Sequence, residues 1–95
     1  MTKSILITGC SSGIGYDAAH GLQRRGWRVF ATCRAEEDCQ RLRTEGLESF
    51  RLDYDDEASI TAALAEALKR TGGTLDALYN NGAYAIPGPV EHLPP

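Results

Sequence analysis

The sequence lacks several features that mark whole classes of protein. No apolar run among its 95 residues is long enough to cross a bilayer, and the N-terminus shows no signal-peptide pattern. The formal net charge of −3 gives no reason to expect nucleic acid as a partner, and no cluster of basic residues suggests a membrane surface. We therefore expect a cytoplasmic protein that binds neither nucleic acid nor membranes.

Cysteine is also scarce. The three cysteines, Cys10, Cys33 and Cys39, are odd in number, and their spacing differs from that of zinc ligands. Cytosolic proteins keep their thiols reduced, so we predict free cysteines and no metal site. Cys10 and Cys33 follow neighbouring predicted strands, and a functional disulfide between them is the less favoured alternative.

What the sequence does contain is a regular alternation of strand and helix patterns. Short apolar runs alternate with amphipathic segments, and the connections between them are short. This alternation predicts one α/β domain over residues 1–95, with a parallel sheet, right-handed crossovers and strand order 3-2-1-4. The predicted strands cover residues 4–8, 28–32, 49–52 and 75–79, and the predicted helices cover residues 13–25, 35–44 and 57–70.

Apolar positions in two of these helices indicate which face packs on the sheet. They recur with the helical period in the first helix and form a longer stripe in the third. The predicted inward residues are Ile14, Ala18, Gly21 and Leu22 in the first helix, and Ile60, Ala63, Leu64, Ala67 and Leu68 in the third.

The most informative segment is the glycine-rich run of residues 8–15, Thr-Gly-Cys-Ser-Ser-Gly-Ile-Gly, between the first strand and the first helix. A turn in this position lets backbone N–H groups approach a pyrophosphate, and the positive end of the helix dipole faces the anion. We expect Gly9 to allow a sharp exit from the strand, Gly13 to let the backbone approach the phosphates, and Gly15 to let the helix pack close to the sheet. A flexible turn without a ligand is the alternative.

With Thr8 in front, this run resembles the T-G-x-x-x-G-I-G turn of the short-chain dehydrogenase/reductase family. The resemblance implies a Rossmann-like fold and a nicotinamide dinucleotide cofactor. It also implies hydride transfer between that cofactor and a small carbonyl or alcohol substrate. Within the turn, it implies that Ser11, Ser12 and Ile14 join the glycines in contacting the cofactor.

The end of the second strand selects between NAD and NADP in dinucleotide folds. Cys33 stands where the family's acidic residue would bind the ribose hydroxyls, and Arg34 follows it. A carboxylate would repel a 2′-phosphate, whereas a guanidinium can bind one, so we expect NADP rather than NAD. Ser12 weighs against this preference, because NADP-using relatives often carry a second basic residue there. The alternative is that Arg34 is a solvated surface charge.

The third strand ends at Asp53, in the run Arg-Leu-Asp-Tyr. This resembles the family's aspartate that accepts a hydrogen bond from the adenine amino group, with the backbone of Tyr54 beside the ring. A helix cap shared with Asp55 and Asp56 is the alternative.

The fourth strand runs into Asn80-Asn81-Gly82-Ala83, where relatives typically read N-N-A-G. The resemblance implies that Asn81, Gly82 and Ala83 border the adenosine ribose. In this chain the last two residues are exchanged, so Ala83 stands in place of a glycine. Taken alone, Asn-Asn-Gly is an ordinary turn signal.

The family's catalytic pair, a Tyr followed four positions later by a Lys, has no match in this sequence. The only lysines, Lys3 and Lys69, do not follow a tyrosine at that spacing, so we assign no catalytic residue. We expect a truncated chain, the cofactor-binding part of a longer oxidoreductase, with no turnover by itself. An unpaired edge on the fourth strand would favour a homo-oligomer. Alternatives are a non-catalytic dinucleotide-binding module, such as a redox sensor or assembly subunit, and an interaction domain with a vestigial turn.

Overall fold

The computed structural model describes residues 2–53 and 55–81, and in this part of the chain four strands alternate with three helices. Tyr54, Gly82 and Ala83, three of the predicted cofactor contacts, lie outside the described residues. The elements are β1 (Ser4–Ile7), α1 (Gly13–Arg24), β2 (Arg28–Cys33), α2 (Glu36–Thr44), β3 (Glu48–Arg51), α3 (Glu57–Thr71) and β4 (Ala77–Tyr79).

The four strands form one parallel sheet in the order β3-β2-β1-β4, which confirms the predicted α/β fold and strand order. β1 is central, and its Leu6 lies beside Phe30 of β2 and Leu78 of β4. All of β1 is buried, because helices cover both faces of the sheet.

Each face of the sheet has its own core, since successive side chains of a strand point to opposite faces. On the face covered by α1 and α2, the side chains of Ile5 and Ile7 pack against small residues of both helices. On the face covered by α3, Leu6 and Phe30 pack against alanines of that helix. The buried members are Ile5, Ile7, Cys10, Ala19, Val29, Ala31, Cys33, Cys39, Leu42 and Leu47 in the first core, and Leu6, Phe30, Leu52, Ala63 and Ala67 in the second.

The predicted inward face of α1 was wrong at its first position. Ile14 is 70% exposed, whereas Gly15 and Ala19 are the buried residues of the helix. Gly15 takes the inward position because the preceding turn lies directly against it, which leaves Ile14 on the outer side of the first turn. In α3, Leu68 is also exposed and lies at the margin of the predicted stripe.

The start of α3 is fixed by its own sequence. The Asp56 side chain accepts hydrogen bonds from the backbone N–H groups of Ala58 and Ser59, at 3.0 and 3.4 Å. The helix ends at Thr71 and is followed by Gly72, whose φ of +83° is a left-handed conformation that favours glycine. Within the described ranges, no helix combines the length and apolar character needed to cross a membrane.

Candidate functional site

The turn between β1 and α1 lies where the strand order reverses. It is held to both neighbouring strands, because the N–H of Thr8 donates to Tyr79 O at 3.1 Å and the N–H of Cys10 donates to Thr32 O at 3.0 Å. β2 thus lies on one side of the turn and β4 on the other. In open α/β sheets this is the crevice in which ligands bind.

Gly9, Gly15 and Asn81 meet at the base of this turn. A Cβ atom on Gly15 would lie 2.5 Å from Gly9 O and 2.6 Å from the Asn81 Nδ2 atom. The same Asn81 amide donates to Gly9 O at 3.2 Å, and the Thr8 hydroxyl donates to Asn81 O at 2.9 Å. The close packing expected at Gly15 is therefore against the turn and Asn81, rather than against the sheet alone.

The first turn of α1 is open, in the sense that no side chain of the described residues caps its N–H groups. Ser12 occupies the N-cap position with extended backbone, but its side chain makes no capping hydrogen bond within the described residues. The first turn of the helix carries no acidic residue, and a Cβ atom on Gly13 would meet no atom of the described chain within 4 Å. The φ of +68° at Gly13 is also a conformation that favours glycine. Exposed N–H groups and the positive end of the helix dipole at this point suit an anion.

Cys10 lies inside the turn but is not a reactive group. Its Sγ atom is fully buried and donates to Ile7 O at 3.3 Å. Burial raises the pKa of Cys10 to about 12, and burial likewise raises the pKa of Cys33 to about 12. All three cysteines are free thiols, as predicted, and they pack into the core beneath α1 and α2.

The end of β2 brings together two residues that the sequence assigned to separate parts of a cofactor. Arg34 is 74% exposed, and its Nε atom lies 3.7 Å from Asp53 Oδ1 while Nη2 lies 3.5 Å from Asp55 Oδ2. The Asp53 side chain also accepts from the N–H of Asp55 at 3.0 Å and from the Arg51 guanidinium at 3.4 Å. Capping of α3 falls to Asp56, so Asp53 is not the helix cap.

A family model named short chain dehydrogenase matches residues 3–95. The chain belongs to the short-chain dehydrogenase family. Among curated relatives, the uncharacterized oxidoreductase YbbO of Escherichia coli K12 is 39% identical over 93 residues, which cover 98% of this chain and 35% of that protein. This chain thus spans about a third of the length of the relative.

Two solved structures of the family share the fold. An actinorhodin polyketide ketoreductase variant with NADPH gives a TM-score of 0.74 at 32% identity, covering 98% of this chain and 38% of that one. A short-chain dehydrogenase/reductase from Burkholderia phymatum in complex with NAD gives a TM-score of 0.70 at 28% identity, covering 81% of this chain and 29% of that one.

In this short-chain dehydrogenase chain, one residue beside the turn was missed by the sequence analysis. The Nη2 atom of Arg41, from α2, donates to Ser11 O in the turn at 2.7 Å. The two residues are 30 positions apart, and the inward residues of α2, Cys39 and Leu42, gave no sign that Arg41 faces the turn. Among the described residues, Asn81 and Arg41 thus contact the turn directly, and Arg34 lies at the end of the neighbouring strand β2.

Proposed function

We propose that the chain binds NADP, in preference to NAD, and supplies the cofactor-binding part of an oxidoreductase acting on a carbonyl or alcohol substrate. The observation that carries this proposal is the open start of α1, with no side-chain cap among the described residues and with free space at Gly13. A pyrophosphate would supply the acceptors that this helix start lacks. The two related structures contain NADPH and NAD, which supports a nicotinamide cofactor.

The turn would hold the phosphates. The N–H groups of residues 13–15 belong to the first turn of α1, and Ser11 and Ser12 directly precede it. Asn81 would border the ribose, because its amide already joins the turn through Gly9. Asp53 would contact the adenosine end of the cofactor. Tyr54, Gly82 and Ala83, which lie outside the described residues, are the remaining proposed contacts there. When bound, the cofactor supplies the hydride that the reaction transfers.

The preference for NADP rests on the end of β2. Cys33 is buried and offers no carboxylate to a ribose, whereas Arg34 is 74% exposed beyond it. The contacts of Arg34 with Asp53 and Asp55 are 3.7 and 3.5 Å long. The pair with Asp55 is exposed on both sides and contributes about 0–1 kcal/mol, less than the roughly 1.5–3 kcal/mol of a charged hydrogen bond, and the contact with the less exposed Asp53 is longer still. A 2′-phosphate can therefore compete for the guanidinium.

Replacing Arg34 tests this preference. We expect Arg34→Asp to lower the affinity for NADPH roughly ten- to a hundredfold and to leave NADH binding within about twofold, by titration calorimetry. Lys3→Asp, an equal change of charge at an exposed residue of the opposite end of the sheet, is the control. An unchanged ratio of the two affinities in Arg34→Asp would remove Arg34 from the cofactor site.

A second candidate is a dinucleotide-binding module without turnover, and a Tyr-x-x-x-Lys segment in a longer reading frame would decide against it. In both candidates the chain itself binds cofactor but does not oxidise it. We therefore expect saturable NADPH binding. With about equal concentrations of protein and NADPH and a panel of aldehydes and ketones, we expect no oxidation of NADPH, measured as loss of absorbance at 340 nm. Turnover by the purified chain would refute this part of the proposal.

A further inference from the structure

The guanidinium of Arg41 is held over the glycine-rich turn by contacts from two sides. Its Nη2 atom donates to Ser11 O at 2.7 Å, and its Cζ atom lies 5.8 Å from the centre of the Tyr16 ring on α1. These contacts join α2 to the turn at the point where the proposed cofactor phosphates lie. They also fix the orientation of the guanidinium before any ligand arrives, which lowers the entropy lost on binding.

The positive charge of Arg41 is only loosely compensated. Its distances to Asp38 Oδ1 and Glu45 Oε2 are 3.4 and 4.0 Å, whereas its short contact is to a neutral carbonyl oxygen. Arg43 on the same helix differs, because its Nη1 atom lies 2.7 Å from Glu36 Oε2. Arg41 is therefore both firmly positioned and available to a further anion.

The turn itself contributes no side-chain charge. Residues 8–15 contain no acidic and no basic residue, and the first turn of α1 carries no acid. The guanidinium of Arg41, which contacts Ser11 O, thus adds its positive charge to that of the helix dipole, and no side chain of the turn opposes it. Arg34 supplies one guanidinium at the end of β2, and Arg41 supplies a second one beside Ser11 of the turn.

We propose that Arg41 is a second determinant of cofactor choice, a residue that binds the 2′-phosphate of NADP from α2 while Ser11 O anchors it. This inference rests on the proposed function. Arg41 would take the place of the basic residue that NADP-using relatives often carry at the position of Ser12. The pyrophosphate would be bound by the backbone N–H groups at the start of α1.

The test compares ligands that differ only in the 2′-phosphate. The purified protein is titrated with NADPH and NADH, and with adenosine 2′,5′-bisphosphate and 5′-AMP. We expect Arg41→Met to lower the affinity for the two ligands with a 2′-phosphate roughly ten- to a hundredfold, because a charge-assisted hydrogen bond is lost. NADH and 5′-AMP binding should change by less than about twofold.

Arg43→Met is the matched control. Arg43 lies on the same helix, is 41% exposed against 43% for Arg41, and also donates to a backbone carbonyl, that of Ser49. Its removal should leave all four affinities unchanged. Arg41→Lys keeps the charge but loses the planar fork, so it should weaken NADPH binding severalfold and leave NADH binding intact.

Two results would overturn the assignment. Equal losses for NADPH and NADH in Arg41→Met or Arg41→Lys would mean that Arg41 only holds the turn in place. Unchanged affinities in both variants would mean that it does neither. If the folded wild-type protein bound none of the four ligands, the proposed function itself would be refuted, which is a different result from either of these.

Discussion

Arginine side chains are paired with carboxylates at different distances at the two ends of the sheet. At the amino end, the Arg28 guanidinium lies 2.7 and 3.0 Å from the two carboxylate oxygens of Glu48, and Arg70 approaches the same carboxylate at 3.2 Å. At the carboxyl end, α1 begins with no side-chain cap in the described part of the chain, and Arg34 lies 3.7 Å from Asp53 and 3.5 Å from Asp55. The guanidinium groups at the amino end are thus paired at short range, whereas the contacts of Arg34 with acids are longer and its side chain is 74% exposed.

The same contrast separates two helix starts within the carboxyl end. Asp56 caps α3 with its side chain, whereas Ser12 has the right chemistry to cap α1 but makes no such bond to the described residues. α2 also begins without a side-chain cap, at Ala35. The start of α1 differs from it in position, because it follows the turn at the sheet's switch point, where ligands bind in open α/β sheets.

Gly15→Ala should have the largest effect on cofactor binding at the carboxyl end of the sheet. Its Cβ atom would lie 2.5 Å from Gly9 O, so the turn and Asn81 must move apart. We expect NADPH affinity to fall by about a hundredfold or more and unfolding free energy to fall by about 1–3 kcal/mol, measured by calorimetry and by denaturant titration.

Gly21→Ala is the matched control on the same helix. The nearest atom to its new Cβ would be the Arg24 side chain at 4.0 Å, and alanine is the better helix former. This variant should gain about 0.5–1 kcal/mol of stability and bind NADPH normally. Similar binding losses in the two glycine variants would contradict the close packing described for Gly15.

Asp56→Ala and Ser12→Ala sharpen the contrast between the two helix starts. Removing the cap of α3 should cost about 1 kcal/mol of unfolding free energy, because two N–H groups lose their acceptor. Removing the Ser12 hydroxyl in the unliganded protein should cost only a few tenths of a kcal/mol. Thermal unfolding monitored by circular dichroism measures both, and equal costs would show that Ser12 caps α1 after all.

Glu48→Gln tests the amino end and should have a small effect that depends on pH. The hydrogen bond from Arg28, above all, lowers the pKa of Glu48 below its usual 4.5. The stabilisation is therefore complete above the unfolded-state pKa and is lost as pH falls through the lower folded-state value. Because the pair is partly exposed, we expect at most about 1 kcal/mol.

The measurement is unfolding free energy from about pH 6 down to pH 3, the range in which carboxylates of this kind titrate. Glu48→Gln should show a flatter acid decline than the wild type. Glu37→Gln, at an exposed position of α2, should follow the wild-type curve. Identical curves for all three proteins would show that the amino-end pairing contributes no stability.

The fold was largely predictable because local patterns carry it. Alternating strand and helix segments with short connections allow few arrangements, and the strand order is the one expected of a dinucleotide-binding sheet. The inward face of α1 was mispredicted at Ile14 alone of its large residues, because the pattern counted this apolar side chain, whereas the residue pressed against the turn is Gly15. Small residues at a close approach leave almost no hydrophobic signal.

The site was only partly predictable for a related reason. The glycine turn is contiguous in sequence, so its position could be predicted from the sequence alone. By contrast, the contact of Arg41 with Ser11 and that of Arg34 with Asp53 join residues from different elements. Such contacts depend on how far each helix and loop extends past the sheet, which composition and periodicity do not specify.

The buried cysteines beneath α1 and α2 have a practical consequence. Thiolate is the reactive form, and burial keeps Cys10 and Cys33 protonated and out of contact with solvent. An alkylating reagent can therefore modify them only while that layer of helices separates from the strands. The rate at which the two thiols are alkylated would therefore measure how often the helices separate from the strands. A ligand bound in the crevice should lower that rate.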